Sequence, residues 1–529
     1  MFARWMLALG VCMGCMAAST SAGEWPQFRG PGNAGVLDEA KLPDEWSAKK
    51  NVAWKVKVPG YGWSSPIVWG DKVFVTTAIS DKQKKPSGGM GGFPGGPGGQ
   101  GGGGFGAPPE PGQVLSPPVQ ERLQLSDEQK KQIEELQKSV DAGLDKILTD
   151  EQKKQFKEMN DGFGRGGPGR PGPGGFPGGF GGGKPPDAVY RWEIHCLDRA
   201  TGQTLWKEVV AEKKPAIATH SSNTYASETP VSDGERVYAY FGMTGVYCYD
   251  FKGKKVWSKD LGAYKMQMGF GTGASPALDG DRLFIQCDNE EKSFLVALDK
   301  KNGDEIWRVD RNEKSSWSTP FVWKTKDRTQ VVCCGGNKVR AYDPENGKLI
   351  WELGAGRSQF NATPVADQER LYLGAGGMMG QRPLVAIKAA ATGDISLKND
   401  ESTNDGVAWW IAQAGPPMAS PLLYRGYLYI LDQNGGFLAC YDAKTGDAAY
   451  KRQRLTGAKG FTSSPWAHDD KIFCLDQDGT TFVVQAGAKF KLLAKNTIEE
   501  MFWSSPALTG DSLILRGVDN LYCIQTKEK

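Results

Sequence analysis

Ser275-Pro276-Ala-Leu-Asp-Gly-Asp-Arg-Leu-Phe-Ile-Gln-Cys287, followed by Phe294-Leu-Val-Ala-Leu-Asp-Lys-Lys-Asn-Gly303-Asp-Glu-Ile-Trp307, is one full copy of a phrase that recurs through this chain. Pro276 to Asp281 reads as a short strand and a polar turn, and Arg282 to Cys287 alternates as a second strand. Phe294 to Leu298 makes a third, and the turn Asp299 to Gly303 leads into Glu305-Ile-Trp307. Strands of this length, separated by Gly, Asn and Asp turns, form an antiparallel meander. The opening of the phrase, Ser or Thr and then Pro, returns at Pro66, Pro230, Pro276, Pro320, Pro364, Pro421, Pro465 and Pro506. From Pro230 onward, consecutive copies lie 41 to 57 residues apart. Such a period marks one supersecondary unit repeated as an array, and a four-stranded meander repeated radially is a propeller blade.

A second marker keeps the same phase: Asp, a Gly turn and a Trp four residues after the Gly. It occurs as Asp198, Gly202 and Trp206, as Asp250, Gly253 and Trp257, as Asp299, Gly303 and Trp307, and as Asp343, Gly347 and Trp351. A fifth copy, with Asp442 and Gly446, ends in Tyr450. The Asp caps the turn, Gly takes the positive-φ position, and the Trp is shaped to wedge between neighbouring blades. These units resemble the quinoprotein-type (PQQ-like) repeat and its tryptophan-docking motif, with the full Thr-Gly pair kept at Thr201-Gly202 and Thr445-Gly446. Two units depart: Thr392-Gly393 lacks the Asp and the Trp, and the seventh keeps only Gly487. The eighth unit, Ser505-Pro506 to Gln525, has three strands, while Asn51-Val-Ala-Trp54-Lys-Val-Lys-Val58 reads as a docking strand with no inner strands before it. The expectation is an all-β, eight-bladed propeller of four-stranded blades, closed by its N-terminal strand.

Residues 80–188 interrupt the first blade. Gly88 to Gly112 and Gly162 to Gly183 are Gly/Pro-rich tracts, a composition that buries no core. Between them, Ile133, Leu136, Val140, Leu144 and Ile147 follow helical spacing, and helices are expected over about 126–159. Ser126-Asp-Glu-Gln129 and Thr149-Asp-Glu-Gln152 are capping boxes. With the Leu before each, they resemble the LTxxQ motif of Spy-like periplasmic proteins. The remaining parts are an N-terminal segment, closing strand and first strands over 23–79, and the rest of the propeller over 189–529.

Residues 1–22 carry Arg4, an apolar stretch and a small-residue end at Ala22, and read as a secretory signal. Neither Cys12 nor Cys15 has a good lipobox before it, and no other apolar run is long enough to span a membrane. A net charge of +3 on 529 residues does not call for nucleic acid. Cys196, Cys248, Cys440 and Cys523 hold one position of the third strand where other blades have Ala297, Ala341 and Ala386, which marks a small packing site.

A ligand is expected over the face carrying the connectors before each Ser/Thr-Pro. Trp63, Trp317 and Trp503 stand three residues before the Pro, and Phe360 and Phe461 stand four before. With His220, Asn223 and Tyr225 from the longest connector, they are the candidate rim of a central funnel. The same aromatics also suit packing between blades. The three histidines have no metal spacing, and no nucleophile elbow or P-loop is present. Quinoprotein alcohol dehydrogenases carry a vicinal disulfide over their pyrroloquinoline quinone. Here Cys333-Cys334 ends a second strand and runs into Gly335-Gly336, and no Glu/Asn/Asp set for Ca²⁺ can be placed.

The resemblance, which extends to BamB-like exported propellers and includes the opening Trp25-Pro-Gln-Phe-Arg-Gly-Pro31, implies a cofactor-free, monomeric scaffold. It would be exported to the periplasm or the outer membrane and would bind an envelope protein or glycan. The alternatives are a quinone-dependent dehydrogenase using pyrroloquinoline quinone with Ca²⁺, and a carbohydrate-binding or carbohydrate-processing propeller.

Overall fold

A computed structural model describes residues 23–87, 114–115, 125–153, 183–354, 360–376, 381–398 and 401–526. The secretory segment expected over 1–22, most of the two Gly/Pro tracts and the helical expectation beyond 153 lie outside the described residues. The chain separates into two compact units, residues 1–88 with 180–529, and residues 89–179.

The larger unit is an eight-bladed β-propeller of four-stranded antiparallel blades. The third blade is typical: Ala277–Asp279, Arg282–Cys287, Phe294–Asp299 and Glu305–Asp310 pair in chain order from the axis outward. The eighth blade takes Ala507–Leu508, Ser512–Arg516 and Asn520–Gln525 from one end of the chain, and its outer strand Val52–Lys57 from the other. Trp54 pairs with Cys523 and Val56 with Leu521 across this seam. The strand-closed ring read from the sequence is therefore present.

The docking tryptophans explain the alternation of Cys and Ala in the third strands. Cys196 lies opposite Trp206, Cys248 opposite Trp257, Ala297 opposite Trp307, Ala341 opposite Trp351 and Cys523 opposite Trp54. Four of these rings reach over to the next blade. Trp54 Nε1 donates to the Arg199 carbonyl at 2.9 Å, Trp206 to Phe251 at 2.9 Å, Trp257 to Lys300 at 2.9 Å and Trp307 to Pro344 at 3.0 Å.

The motif glycines close their turns on the Asp of the same copy. Gly253 N–H donates to Asp250 O at 3.1 Å, and Gly347 N–H donates to Asp343 O at 2.9 Å. Their open faces, however, serve the tryptophan of the blade before. A Cβ on Gly202, where φ is +72°, would stand 2.7 Å from the Trp54 indole. The same added atom would stand 3.0 Å from Trp206 at Gly253, 2.6 Å from Trp257 at Gly303 and 2.8 Å from Trp307 at Gly347. The Trp of one copy therefore meets the Gly of the next: Gly253 lies against Trp206 and Gly347 against Trp307. The phrase is split in space because its turn lies against the preceding blade while its Trp leans on the following one. Trp351 departs from the pattern and turns to Gln330 Oε1 at 2.8 Å.

The fifth blade shows where its missing tryptophan lies. Its outer strand does not follow Thr392-Gly393; it is Val407–Ile411, with Trp409 opposite Ala386 and Trp409 Nε1 donating to the Ala443 carbonyl at 3.1 Å. Gly393–Asp394 instead runs parallel to the outer strand Leu349–Gly354 of the fourth blade. The detour displaces the tryptophan from its usual distance after the Gly, which hid it.

N-terminal to the closing strand, residues 25–46 thread along several blades. Trp25 N–H donates to Val68 O at 2.8 Å and Ser232 N–H to Pro26 O at 2.8 Å. Leu37 N–H donates to Ala467 O at 3.2 Å, Lys41 N–H to Gly510 O at 2.8 Å, and Trp46 N–H to Asn496 Oδ1 at 3.1 Å.

His468, on the inner strand Trp466–His468, stacks on Phe473 with ring centroids 4.5 Å apart and is 2% exposed. Burial lowers its pKa to about 4. The unfolded chain takes up this proton near pH 6.5, so stability falls as pH drops from about 6.5 towards 4, where the unfolded state binds more protons. The expected loss at pH 4.5 is roughly 2–3 kcal/mol. Urea unfolding of wild type and His468→Phe at pH 7 and 4.5 checks it: the wild-type midpoint should drop with acid by clearly more than the variant's.

In the smaller unit, α1 spans Asp127–Ile147. Ser126 Oγ accepts from Gln129 N–H at 3.3 Å while Gln129 Oε1 accepts from Ser126 N–H at 2.9 Å. Thr149 and Gln152 repeat this exchange at 3.3 and 3.0 Å. Structurally, then, the two LTxxQ-like phrases act as helix starts. No helix of the described residues is long and apolar enough to cross a membrane.

Candidate functional site

Each inner strand is entered through Ser or Thr and then Pro. The residue before a proline is held extended, and in an extended chain alternate residues share a face. Positions one and three before each proline therefore point one way, and positions two and four the other. The structure follows this rule. A cavity of about 110 Å³ on the propeller axis is lined by Ser65, Thr229, Ser275, Thr319, Thr363, Ser420, Ser464 and Ser505, one hydroxyl from each blade. The residues two before these form a second rung: Trp63, Ser227, Gly273, Trp317, Asn361, Met418, Thr462 and Trp503. Phe28, from the N-terminal segment, reaches the same cavity.

The eight hydroxyls are joined in a closed circle. Ser65 N–H donates to Thr229 Oγ1 at 2.9 Å, Thr229 to Ser275 at 2.9 Å, Ser275 to Thr319 at 3.2 Å and Thr319 to Thr363 at 3.4 Å. Thr363 donates to Ser420 at 3.1 Å, Ser420 to Ser464 at 3.1 Å, Ser464 to Ser505 at 2.9 Å, and Ser505 back to Ser65 at 3.1 Å. All bonds run in one rotational sense. This is the physical reason for the recurring Ser/Thr: its hydroxyl satisfies a buried N–H of the preceding blade.

Three of the candidate rim residues meet here. Trp63 and Trp503 stack with centroids 5.5 Å apart, and Trp317 lines the same cavity from the fourth blade. Trp63 Nε1 donates to Ser222 O at 2.8 Å and Trp317 Nε1 to Gly271 O at 2.7 Å. The buried Nε1 of Trp503 finds no acceptor among the described residues.

The other candidates lie elsewhere. Phe360 and Phe461, four before the proline, are buried between blades with Leu371 and Ile472 respectively. Tyr225 packs against Tyr190 and Trp192 and donates its hydroxyl to Ile217 O at 3.1 Å. Asn223 braces two connectors, its Nδ2 donating to Phe270 O at 2.8 Å and Thr272 O at 3.1 Å. His220 bonds Ser222 at 2.7 Å and meets the edge of Phe270, and burial lowers its pKa. These three shape the connector behind Trp63 and Trp317. Sequence reasoning missed the hydroxyl ring itself, although the signal, Ser or Thr before every repeat proline, was its starting point.

Pyrroloquinoline quinone with Ca²⁺ does not fit the lining of the axial cavity. The cavity lies well under the ~300 Å³ at which pockets for larger ligands begin, and none of its lining side chains is ionisable. Cys333 packs with Phe284 and Leu295 towards the third blade, while Cys334 packs with Leu371 and Leu373 towards the fifth. The two thiols thus face opposite sides of their strand. Burial pushes both up to about 12. Among the described residues no three His, Cys, Asp or Glu side chains converge as a metal cluster.

The family model described as outer membrane protein assembly factor BamB matches residues 191–414. Over that span the propeller is similar to PQQ-like repeats. Of curated proteins similar to it, outer membrane protein assembly factor BamB of Moranella endobia is 23% identical over 312 residues, spanning 50% of this propeller chain and 78% of that protein. The same-named protein of Alkalilimnicola ehrlichii is 30% identical over 129 residues, 23% of this chain and 28% of that one. Among solved structures, a europium-containing methanol dehydrogenase superposes with a TM-score of 0.51 at 9% identity, covering 94% of this chain and 90% of the dehydrogenase. That likeness concerns the fold alone. BamB from Moraxella catarrhalis gives 0.46 at 11% identity, with 65% and 95% covered.

Proposed function

We propose that this propeller is an exported, cofactor-free scaffold of the cell envelope that captures an extended segment of a protein partner on its connector face. The observation that carries the reading is the second rung of the axial cavity. Trp63, Trp317 and Trp503 there present aromatic surface beside hydroxyls, with no ionisable side chain in the lining to act as an acid or base. Aromatic anchors in a sheltered pocket are the usual energetic centre of a binding surface. Two relatives named as outer membrane protein assembly factors support an envelope setting.

The test compares wild type with Trp317→Ala as bait in an envelope extract. Trp317 is the least enclosed of the three, so its loss should leave the melting temperature within a few degrees. Capture of a defined partner should weaken about 30-fold, as for an aromatic hot spot worth ~2 kcal/mol. Equal retention by both proteins would contradict the reading.

A further inference from the structure

The hydroxyl ring satisfies eight backbone N–H groups but leaves its own protons unspent. Each ring hydroxyl accepts one bond, and none donates to an acceptor among the described residues. All eight residues are at most 5% exposed. Trp503 adds a buried indole N–H in the same condition. The same lining holds one buried acceptor without a partner, Asn361 Oδ1. Nine unfilled donors thus face a single unfilled acceptor, and the cavity is short of the acceptors that buried polar groups require.

Two buried cations point the same way. Arg29 follows the cavity-lining Phe28 and is 1% exposed. Its Nη2 donates to Ala34 O at 3.3 Å, but Nε and Nη1 have no partner and no carboxylate pairs with it among the described residues. Its backbone is also strained into the left-handed region, with φ +59°. A Cβ on Gly35 would stand 3.0 Å from Arg29 Nη2 and 3.2 Å from the carbonyl of Pro465, the residue after ring member Ser464. Arg516, 3% exposed, donates through Nη1 to the carbonyl and hydroxyl of Ser64, beside ring member Ser65. It too has no carboxylate partner among the described residues. Buried charges are ordinarily paired. Here two cations sit next to residues bordering a cavity of unfilled donors.

We propose that the axial cavity binds a small oxyanion, with the hydroxyl ring and the Trp503 indole as donors and Arg29 and Arg516 supplying positive charge from behind the lining. An oxyanion presents acceptors in every direction and no competing donors, as the ring demands. About 110 Å³ is far above the ~10–15 Å³ that admits one water, and it suits a group the size of phosphate or carboxylate. Two sources carry that chemistry, a free inorganic ion and the terminal carboxylate of a peptide. The inference rests on the ring and the arginines, not on the partner reading, so the two fail separately.

Purified full-length protein is titrated by calorimetry and thermal melting with phosphate, sulfate, and a short peptide acid alongside its amide, at ionic strength held constant with chloride. The expected result is saturable binding of an oxyanion at one per chain, with a melting temperature that rises with ligand. Saturation by phosphate or sulfate assigns a free ion; saturation by the peptide acid alone, the amide being inert, assigns a carboxylate terminus. Trp503→Phe removes one donor and breaks no protein bond, and should weaken binding about tenfold. Thr363→Val should weaken it similarly, while Thr363→Ser, which keeps the O–H, should not. No saturable response to any of these ions, or unchanged affinity in folded Trp503→Phe, overturns the site.

Discussion

A chain lacking Ala53–Val58 is expected to lose its soluble, monomeric form. Without that segment the eighth blade ends at Asn520–Gln525, whose outer edge carries unpaired backbone groups where Lys55, Val56 and Lys57 now pair with Tyr522, Leu521 and Asn520. An open edge of this kind is a template for further strands. The deletion also removes Trp54, 8% exposed and seated under Gly202 of the first blade; Trp54→Ala alone should cost about 3–5 kcal/mol. Ser505 and Ser65, Ser504 and Trp63, and Arg516 and Ser64 also join the eighth blade to the first, but these scattered bonds do not cover the open edge of Asn520–Gln525. Size-exclusion chromatography with light scattering reads the result. A monomer with an unchanged melting temperature would show that the seam is held by something else.

Asp288→Ala should destabilise the propeller by about 3–5 kcal/mol, the cost of leaving a buried cation alone. Arg311 Nε and Nη2 bond the two Asp288 oxygens at 2.8 and 3.0 Å, and both side chains are fully buried. Nη1 donates to the Tyr342 hydroxyl at 2.8 Å, and Gln286 Nε2 donates to Asp288 Oδ2 at 2.8 Å. Removing the carboxylate therefore strips a guanidinium of its two best acceptors at the junction of the third and fourth blades. Replacing both partners, as Asp288→Leu with Arg311→Met, should recover much of the loss. Denaturant midpoints at an unchanged slope measure it, and a single-variant loss below about 1 kcal/mol would mean that water reaches the site.

Much of the fold was legible because the repeat writes its own punctuation. Pro before the inner strand, Gly in the third turn and Trp in the outer strand each meet a local backbone or packing need, so they recur at fixed distances. Spacing alone could not tell which partners meet, since Gly253 and Gly347 stand four residues from one tryptophan and lie against another some 40 residues earlier in the chain. Legibility failed outright where the distance was broken, as at Trp409, reached only after the extra turn through Gly393–Asp394. The site was legible in part. Trp63, Trp317 and Trp503 were identifiable by position, and counting in twos from each proline would have separated them from Phe360 and Phe461. Arg29 and Arg516 had no signal at all. Nothing local distinguishes a buried, unpaired arginine from a surface one, and their surroundings come from blades hundreds of residues away.

The shared eighth blade also has a consequence in time. Val52–Lys57 is made well before its partner Asn520–Gln525, with more than 460 residues between them. At roughly 5–20 residues per second, synthesis of that interval takes roughly 25–90 s. Meanders such as Ala277–Asp310 can form from neighbours as they emerge, whereas the closing step must bring together the two most distant strands, the slowest kind of contact to make. Until the two strands pair, the edge of Asn520–Gln525 stays open, and an open edge of that kind is where chains join one another.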